Sequence, residues 1–202
     1  MLGLKAPTDP AWASVALADL DAVLVDHAHC EMKAASNAMS LAARHPRSSA
    51  LVLALVDLAR EELDHFSRVV EKLAERSVPL GTPPVDTYAA DLRHRIAVDP
   101  GAPHEGTRDP LVERLLVASI IEARSAERFS LLLEAMGSEH EMYAFYTELL
   151  AAEARHHRVF VDLAIDAANG DEGRVRARLE RMAGIEAEIV RAAGPARPVI
   201  HG

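Results

Sequence analysis

The sequence has little cysteine and few aromatic residues. Among its 202 residues there is one cysteine, Cys30, and aromatic side chains make up 4% of the chain. One cysteine cannot form an internal disulfide framework, and it excludes a rubredoxin-like domain, which needs paired Cys-x-x-Cys ligands. We therefore expect a fold held by an aliphatic core in a reducing compartment.

Long apolar runs are also missing. The longest, Ala50 to Val56, is far too short to span a bilayer. The first residues, from Met1 to Asp9, lack the apolar region of a signal peptide. These absences predict a soluble, cytoplasmic protein with no membrane partner.

Positive charge is scarce. The formal net charge is −9, from 22 basic and 31 acidic side chains, which argues against a general nucleic-acid coat but leaves room for a local basic patch. Three of the basic residues are lysines: Lys5, Lys33 and Lys72. The arginine bias suits phosphate recognition, but a G+C-rich genome gives the same bias and is the favoured explanation.

Helix-forming residues are abundant, since Ala and Leu dominate a chain with few β-branched runs. They predict an all-α fold, namely a four-helix bundle with one long crossover and short N-terminal and C-terminal helices. Capping and breaking residues set the predicted boundaries. A short helix starts at Asp9-Pro10, and the long helices run from about Asp19 to His45-Pro46, Ser48 or Ser49 to Arg76, Asp109-Pro110 to Gly137, and Ser138 to Asn169-Gly170.

The remaining segments complete a predicted single domain over residues 1–202, with its bundle core at about 19–168. Residues 77–108, rich in Pro and Gly, form the crossover and include a short helix from Asp86 to about Ala97. A C-terminal helix at about 171–193 alternates Arg and Glu and is predicted to be largely exposed. The tail from Gly194 is expected to be loosely held.

Each long helix carries an acid on an otherwise apolar stripe, and two of them add a histidine three residues later. In each half of the chain, the second of these glutamates follows the first by 31 residues. Adding 91 to the residue numbers of the two glutamates and the histidine in the first half gives the residue numbers of those in the second half. This match indicates a duplicated helix pair. It also selects Glu62 rather than Glu61 as the partner of His65. The six residues are Glu31, Glu62, His65, Glu122, Glu153 and His156.

These six residues predict a metal site. One Glu from each of two helices and Glu-x-x-His from each of the other two form the ligand set of ferritin-like di-iron carboxylate bundles, so we expect a single ferritin-like domain. Four carboxylates would balance two divalent ions, and without metal they would repel one another and take up protons. Oxygen and nitrogen donors without thiolate suit two iron ions, with Mn as a possible substitute. Solvated surface acids and core histidines are the alternative interpretation.

Other polar residues carry weaker signals. His27, one turn before Glu31, is interpreted either as a residue that orients this ligand or as a core histidine. Tyr146 could serve proton or radical chemistry, although a core tyrosine is the favoured interpretation. Arg124 and Arg128 are expected to pair with carboxylates. Packing or solvent roles are predicted for residues off the stripes: Asp26, His29, Cys30 and His157.

Several segments resemble the MiaE family of tRNA hydroxylases. They are Asp26-His27-Ala-His-Cys30-Glu31-Met-Lys33-Ala, Arg60-Glu61-Glu62-Leu63-Asp-His65-Phe66, Ile121-Glu122-Ala-Arg124-Ser125 with Glu127-Arg128-Phe129, and Glu153-Ala-Arg-His156. The resemblance covers about residues 10 to 165, and it agrees with the family at all six proposed ligand positions.

The resemblance implies a non-haem di-iron monooxygenase that hydroxylates the isopentenyl group of 2-methylthio-N6-isopentenyladenosine beside the tRNA anticodon. It further implies O₂ as co-substrate, the tRNA anticodon loop as substrate and an external electron-donating reductase. Two rivals use the same helices: a ferritin-like iron-storage or peroxide-scavenging protein, and a non-catalytic helical scaffold. The oligomeric state is not predicted.

Overall fold

The computed structural model describes residues 2–83, 85–101, 109–193 and 196–200. Within these residues the chain is all α-helical, with no strand and with no helix long and apolar enough to cross a membrane. Pro84 and residues 102–108 of the predicted crossover lie outside the description. The seven helices are α1 (Ala11–Ala18), α2 (Leu20–Arg44), α3 (Ser49–Glu75), α4 (Thr87–Ala97), α5 (Pro110–Met136), α6 (Tyr143–Ala167) and α7 (Glu172–Ala192).

Capping side chains begin most helices where the sequence predicts them. The carboxylate of Asp19 accepts from Ala22 N, the hydroxyl of Ser48 from Leu51 N, and the carboxylate of Asp109 from Leu111 N. The prediction that Ser138 caps the fourth long helix is wrong. Its hydroxyl instead donates to the Glu139 carboxylate at 3.3 Å, and α6 begins five residues later without a side-chain cap.

One compact unit, which we call the hairpin unit, comprises residues 18–85 and 198–200. The four residues between α2 and α3 form a tight turn, so the two helices pack against each other along their apolar faces. The tail is not loosely held in its described part, because Ile200 is buried and its N–H donates to the Asp26 carboxylate at 2.6 Å. The core includes Leu24, Leu41, Leu55, Val69 and Leu73.

A second unit contains α1, α4, α5, α6 and α7. Within it α5 packs along α6, and α7 packs against α4, α5 and α6. Its core consists of aliphatic residues with a small aromatic group. Among its buried side chains are Leu115, Leu116, Leu132, Phe129, Phe160 and Tyr146.

The prediction that the C-terminal helix is largely exposed is wrong. One face of α7 is buried, with Val175, Met182 and Ala187 in the core of the second unit. Arg178 and Glu186 are buried on the same helix, because each is paired with an opposite charge from another helix. A count of charges along α7 cannot reveal such pairing, so its Arg and Glu residues suggested a solvated surface.

Candidate metal centre

The hairpin unit brings together three of the predicted ligands. Glu31 projects from α2, and Glu62 and His65 project from α3; all three are buried. The Nδ1 atom of His65 lies 3.8 Å from Oε2 of Glu31 and 3.6 Å from Oε2 of Glu62. Each residue offers one donor atom within 4.8 Å of those of the other two. This separation suits three ligands of a single metal ion.

The electrostatics of this cluster favour a bound cation. Burial raises the pKa of Glu31 well above its ordinary value, and the charge of Glu62 raises it further. Burial also disfavours a charged His65, but hydrogen bonds and charge from Glu31 and Glu62 outweigh that effect and raise the pKa of His65 to about 10. Two carboxylates thus share a buried space that holds a proton. A divalent ion would supply the same positive charge, so the donor set fits a metal.

His27 contacts one of these ligands directly. Its Nε2 atom lies 2.6 Å from Oε1 of Glu31, and both side chains are almost fully buried. Burial, followed by the charge of His65, lowers the pKa of His27 to about 3, so the imidazole is neutral at physiological pH. Of the two interpretations offered by the sequence, the contact supports an orienting role for His27.

The second unit carries the equivalent residues on the equivalent helices. Glu122 projects from α5, and Glu153 and His156 project from α6; all three are buried. Glu122 and His156 each offer a donor atom within 4.8 Å of the other. Each unit therefore presents a buried glutamate from its first long helix and a buried Glu-x-x-His pair from its second.

The polar residues off the predicted stripes have structural partners. His29 Nε2 lies 3.2 Å from Leu80 O, and the Cys30 thiol donates to the Asp26 carboxylate at 3.8 Å. His157 Nδ1 lies 2.8 Å from Ser119 O. Burial lowers the pKa of His157, and the hydrogen bond to Ser119 partly offsets this. These contacts agree with the predicted packing roles.

Tyr146 lies in the aromatic group of the second unit. It is fully buried, with ring centroids 5.3 Å from Phe129 and 5.4 Å from Phe145. Tilted and edge-to-face contacts at these distances are typical of a packed core. The structure therefore supports the favoured interpretation of Tyr146 as a core tyrosine.

Arg124 forms a buried charge network whose extent the sequence did not reveal. Its guanidinium is fully buried and donates to both carboxylate oxygens of Glu186 on α7, at 2.8 and 2.9 Å. It also donates to Glu127 at 2.8 Å and to Ala6 O at 2.9 Å, and Tyr88 OH donates to Glu186 at 2.9 Å. The predicted carboxylate pairing is confirmed for Arg124. Glu186 was missed because it lies 62 residues away on a helix expected to be exposed.

The all-helical fold and its buried carboxylate and imidazole donors, compatible with a di-iron site, define a ferritin-like protein. The chain belongs to the MiaE family: a family model described as tRNA-(MS[2]IO[6]A)-hydroxylase (MiaE) matches residues 2–201. The predicted fold class and family resemblance are thereby confirmed. The match favours an enzyme and gives no support to iron storage or peroxide scavenging.

Two curated relatives share the name tRNA 2-(methylsulfanyl)-N(6)-isopentenyladenosine(37) hydroxylase. The Pseudomonas putida protein is 38% identical over 187 residues, covering 93% of this chain and 86% of its own length. The Salmonella typhimurium protein is 26% identical over 238 residues, with coverages of 93% and 83%. A solved structure is similar with a TM-score of 0.84 at 35% identity, covering 98% of this chain and 95% of that chain. It is described as protein 43 with aldehyde deformylating oxygenase activity from Synechococcus.

Proposed function

We propose that this protein hydroxylates the isopentenyl group of 2-methylthio-N6-isopentenyladenosine in tRNA, at the base next to the anticodon. The observation that carries the proposal is the family match over residues 2–201. The curated relatives, whose names specify this reaction, support it over most of their own length. The buried donors of both units agree with it, because replacing a carbon–hydrogen bond by a carbon–hydroxyl bond needs a strong oxidant that side chains alone do not provide.

We further propose that the six predicted residues hold two iron ions, within a single ferritin-like domain. Bound iron would supply the activation of O₂ with electrons from an external donor. His65 and His156 each provide one nitrogen donor, and the four glutamates provide the negative charge that balances two divalent ions. The proposed ligands are Glu31, Glu62, His65, Glu122, Glu153 and His156.

The protein around these ligands has three tasks. His27 orients the carboxylate of Glu31 through their 2.6 Å contact. Fully buried aliphatic residues on the ligand helices, such as Leu24 and Leu55, exclude water from the hairpin unit's ligands. The apolar surroundings also suit an aliphatic isopentenyl chain, because the transfer of such a chain out of water is favourable.

The substrate has to present its modified base outside the stack. An enzyme reaches a nucleobase substituent only when the base is splayed out or flipped, and an anticodon loop allows this at low cost. The proposed partners are therefore a tRNA with an accessible anticodon loop and a reductase system that delivers electrons. We therefore propose that the protein acts in the cytoplasm, where its tRNA substrate is found.

Mass spectrometry of tRNA nucleosides tests the proposal. The gene is supplied to a strain that makes the isopentenylated nucleoside and lacks the hydroxylase, and the hydroxylated nucleoside is expected to appear. The Glu62→Ala variant is expected to give none, and the neighbouring Glu61→Ala variant serves as its matched control. If the wild-type protein leaves the nucleoside unchanged although it is folded and iron-loaded, the proposed function is wrong.

A further inference from the structure

One end of the hairpin unit lacks acidic side chains. Residues 32–56, which form the second half of α2, the turn and the start of α3, contain no Asp or Glu, although the whole chain has 31. The same stretch contains Lys33, Arg44 and Arg47. Because α2 and α3 pack side by side and the turn joins them, these residues lie at one end of the unit. We call residues 32–56 the hairpin end.

Two cationic side chains of the hairpin end, Arg44 and Arg47, are available to a ligand. Arg44 and Arg47 are exposed, and within the described part of the chain neither side chain has a hydrogen-bond or ion-pair partner. Arginines elsewhere in the hairpin unit are engaged: Arg60 pairs with Asp57 and Arg76 with Asp21. No carboxylate among the described residues therefore neutralises these two guanidinium groups.

Three polar residues of the hairpin end lie along one line on α2. Lys33, Ser40 and Arg44 are separated by seven and four residues, so they fall almost on one line along the helix. At 1.5 Å per residue this line is about 16 Å long, enough to follow several phosphates of a nucleic-acid strand. It begins two residues after Glu31, on the opposite side of the helix. The line thus runs from the level of a proposed metal ligand to the hairpin turn.

The hairpin end also exposes apolar surface. Met39 is 48% exposed and Leu53 is 63% exposed. Both side chains are apolar and can contact a ribose or a base. Exposed Ser36 adds a hydroxyl donor beside Lys33. Cations, hydroxyls and apolar side chains exposed at the same end of the unit are the mixture found where proteins bind RNA strands.

We propose that the hairpin end binds the phosphate backbone of the RNA substrate. The inference rests on the proposed function, which requires this protein of net charge −9 to hold a polyanion. Such a protein needs a local positive surface, because phosphate contacts supply most of the affinity for nucleic acid. An acidic electron-donating protein is the rival occupant, and a binding measurement without electron transfer separates the two.

The test compares two double variants in equilibrium binding to tRNA that carries the isopentenylated base. Arg44→Gln/Arg47→Gln removes two charges from the hairpin end. Arg93→Gln/Arg158→Gln removes two exposed charges from the second unit and is the matched control. We expect the first variant to bind roughly tenfold more weakly at low salt, and its slope of log affinity against log salt to fall by about one per arginine. In turnover, KM for tRNA should rise while kcat at saturating tRNA stays unchanged.

A gain of affinity completes the test, since a damaged fold cannot produce it. Ser36→Arg adds a charge to the same surface and is expected to tighten tRNA binding and steepen the salt dependence. The proposal is overturned if Arg44→Gln/Arg47→Gln binds tRNA as the control variant does, or if it slows only reduction by the electron donor. If wild-type protein neither binds nor hydroxylates the tRNA, the proposed function itself fails. If it does both and the two double variants behave alike, only the surface assignment fails.

Discussion

The imidazole of His27 and the carboxylate of Glu31 are in contact at 2.6 Å, one helical turn apart on the buried side of α2. Both residues belong to a helix whose inner face is otherwise mostly aliphatic, with Leu24 and Leu41 fully buried on it. A neutral imidazole placed against a carboxylate limits the orientations that this carboxylate can adopt. The contact therefore links a residue outside the proposed ligand set to the metal affinity of the site.

This relationship predicts that His27→Leu weakens iron binding about 10- to 100-fold, because the Glu31 carboxylate loses its orienting partner. His27→Gln, which can keep a polar contact to Glu31, should recover part of the affinity. Anaerobic Fe(II) titration and circular dichroism of the bound iron measure the effect. His29→Gln is the matched control, since His29 contacts Leu80 O rather than a proposed ligand. Wild-type iron affinity and an unaltered spectrum in His27→Leu would refute the orienting role.

The ligand register is tested by adjacent glutamates. Glu62→Ala is expected to lower the iron content below two ions per chain, because it removes a buried donor from the cluster with Glu31 and His65. Glu61→Ala should retain both ions, since the duplicated pattern places Glu61 off the inner stripe. Elemental analysis of protein loaded with iron under identical conditions checks this. Full iron content in Glu62→Ala, or its loss in Glu61→Ala, would show that the register is wrong.

The buried Arg124–Glu186 pair is expected to contribute strongly to stability. Glu186→Gln leaves a fully buried guanidinium with less compensating charge, at a cost of about 3 to 5 kcal/mol in the free energy of unfolding. Replacing both residues, as in Arg124→Met/Glu186→Leu, should cost less than the sum of the two single changes. Urea denaturation of Glu186→Gln, of the single variants Arg124→Met and Glu186→Leu, and of the double variant measures the cost and the coupling. The exposed Arg60–Asp57 pair provides a control that should matter far less. Additive effects of the two single replacements would show that the pair is not coupled.

Asp99 is expected to make the second unit sensitive to acid. Hydrogen bonds from Arg181 and Arg178 hold the pKa of Asp99 below its ordinary value, although burial opposes this. A carboxylate whose pKa is lower in the folded state contributes stability that is complete above its unfolded pKa of about 4 and is lost as the pH falls below it. Asp99→Asn should therefore be less stable than wild type at neutral pH, with the difference shrinking in acid.

Thermal unfolding between pH 7 and pH 3 checks this prediction. Asp91→Asn, which breaks the more exposed pair with Arg95, is the matched control and should show a smaller difference at neutral pH. A constant gap between wild type and Asp99→Asn across the whole range would contradict the linkage.

Local sequence patterns determined the helices and the inner positions. Asp19, Ser48 and Asp109 cap their helices as predicted, because a capping side chain bonds to backbone N–H groups two or three residues away. Spacings of three and four place Glu31, Glu62, His65, Glu122, Glu153 and His156 on buried faces, as the structure shows for all six. The proposed ligand set could be written from the sequence because the duplication repeats it.

Tertiary structure alone decided the partners of the remaining polar residues. Glu186 is buried because Arg124 lies opposite it, and Ile200 is held because the Asp26 carboxylate accepts its N–H. These pairs are 62 and 174 residues apart, and no local periodicity encodes such distances. Burial of a charge depends on whether a partner from a distant helix offsets the cost of desolvation. The sequence therefore determined which helix faces turn inward. Packing between distant segments determined which charged side chains could be buried with them.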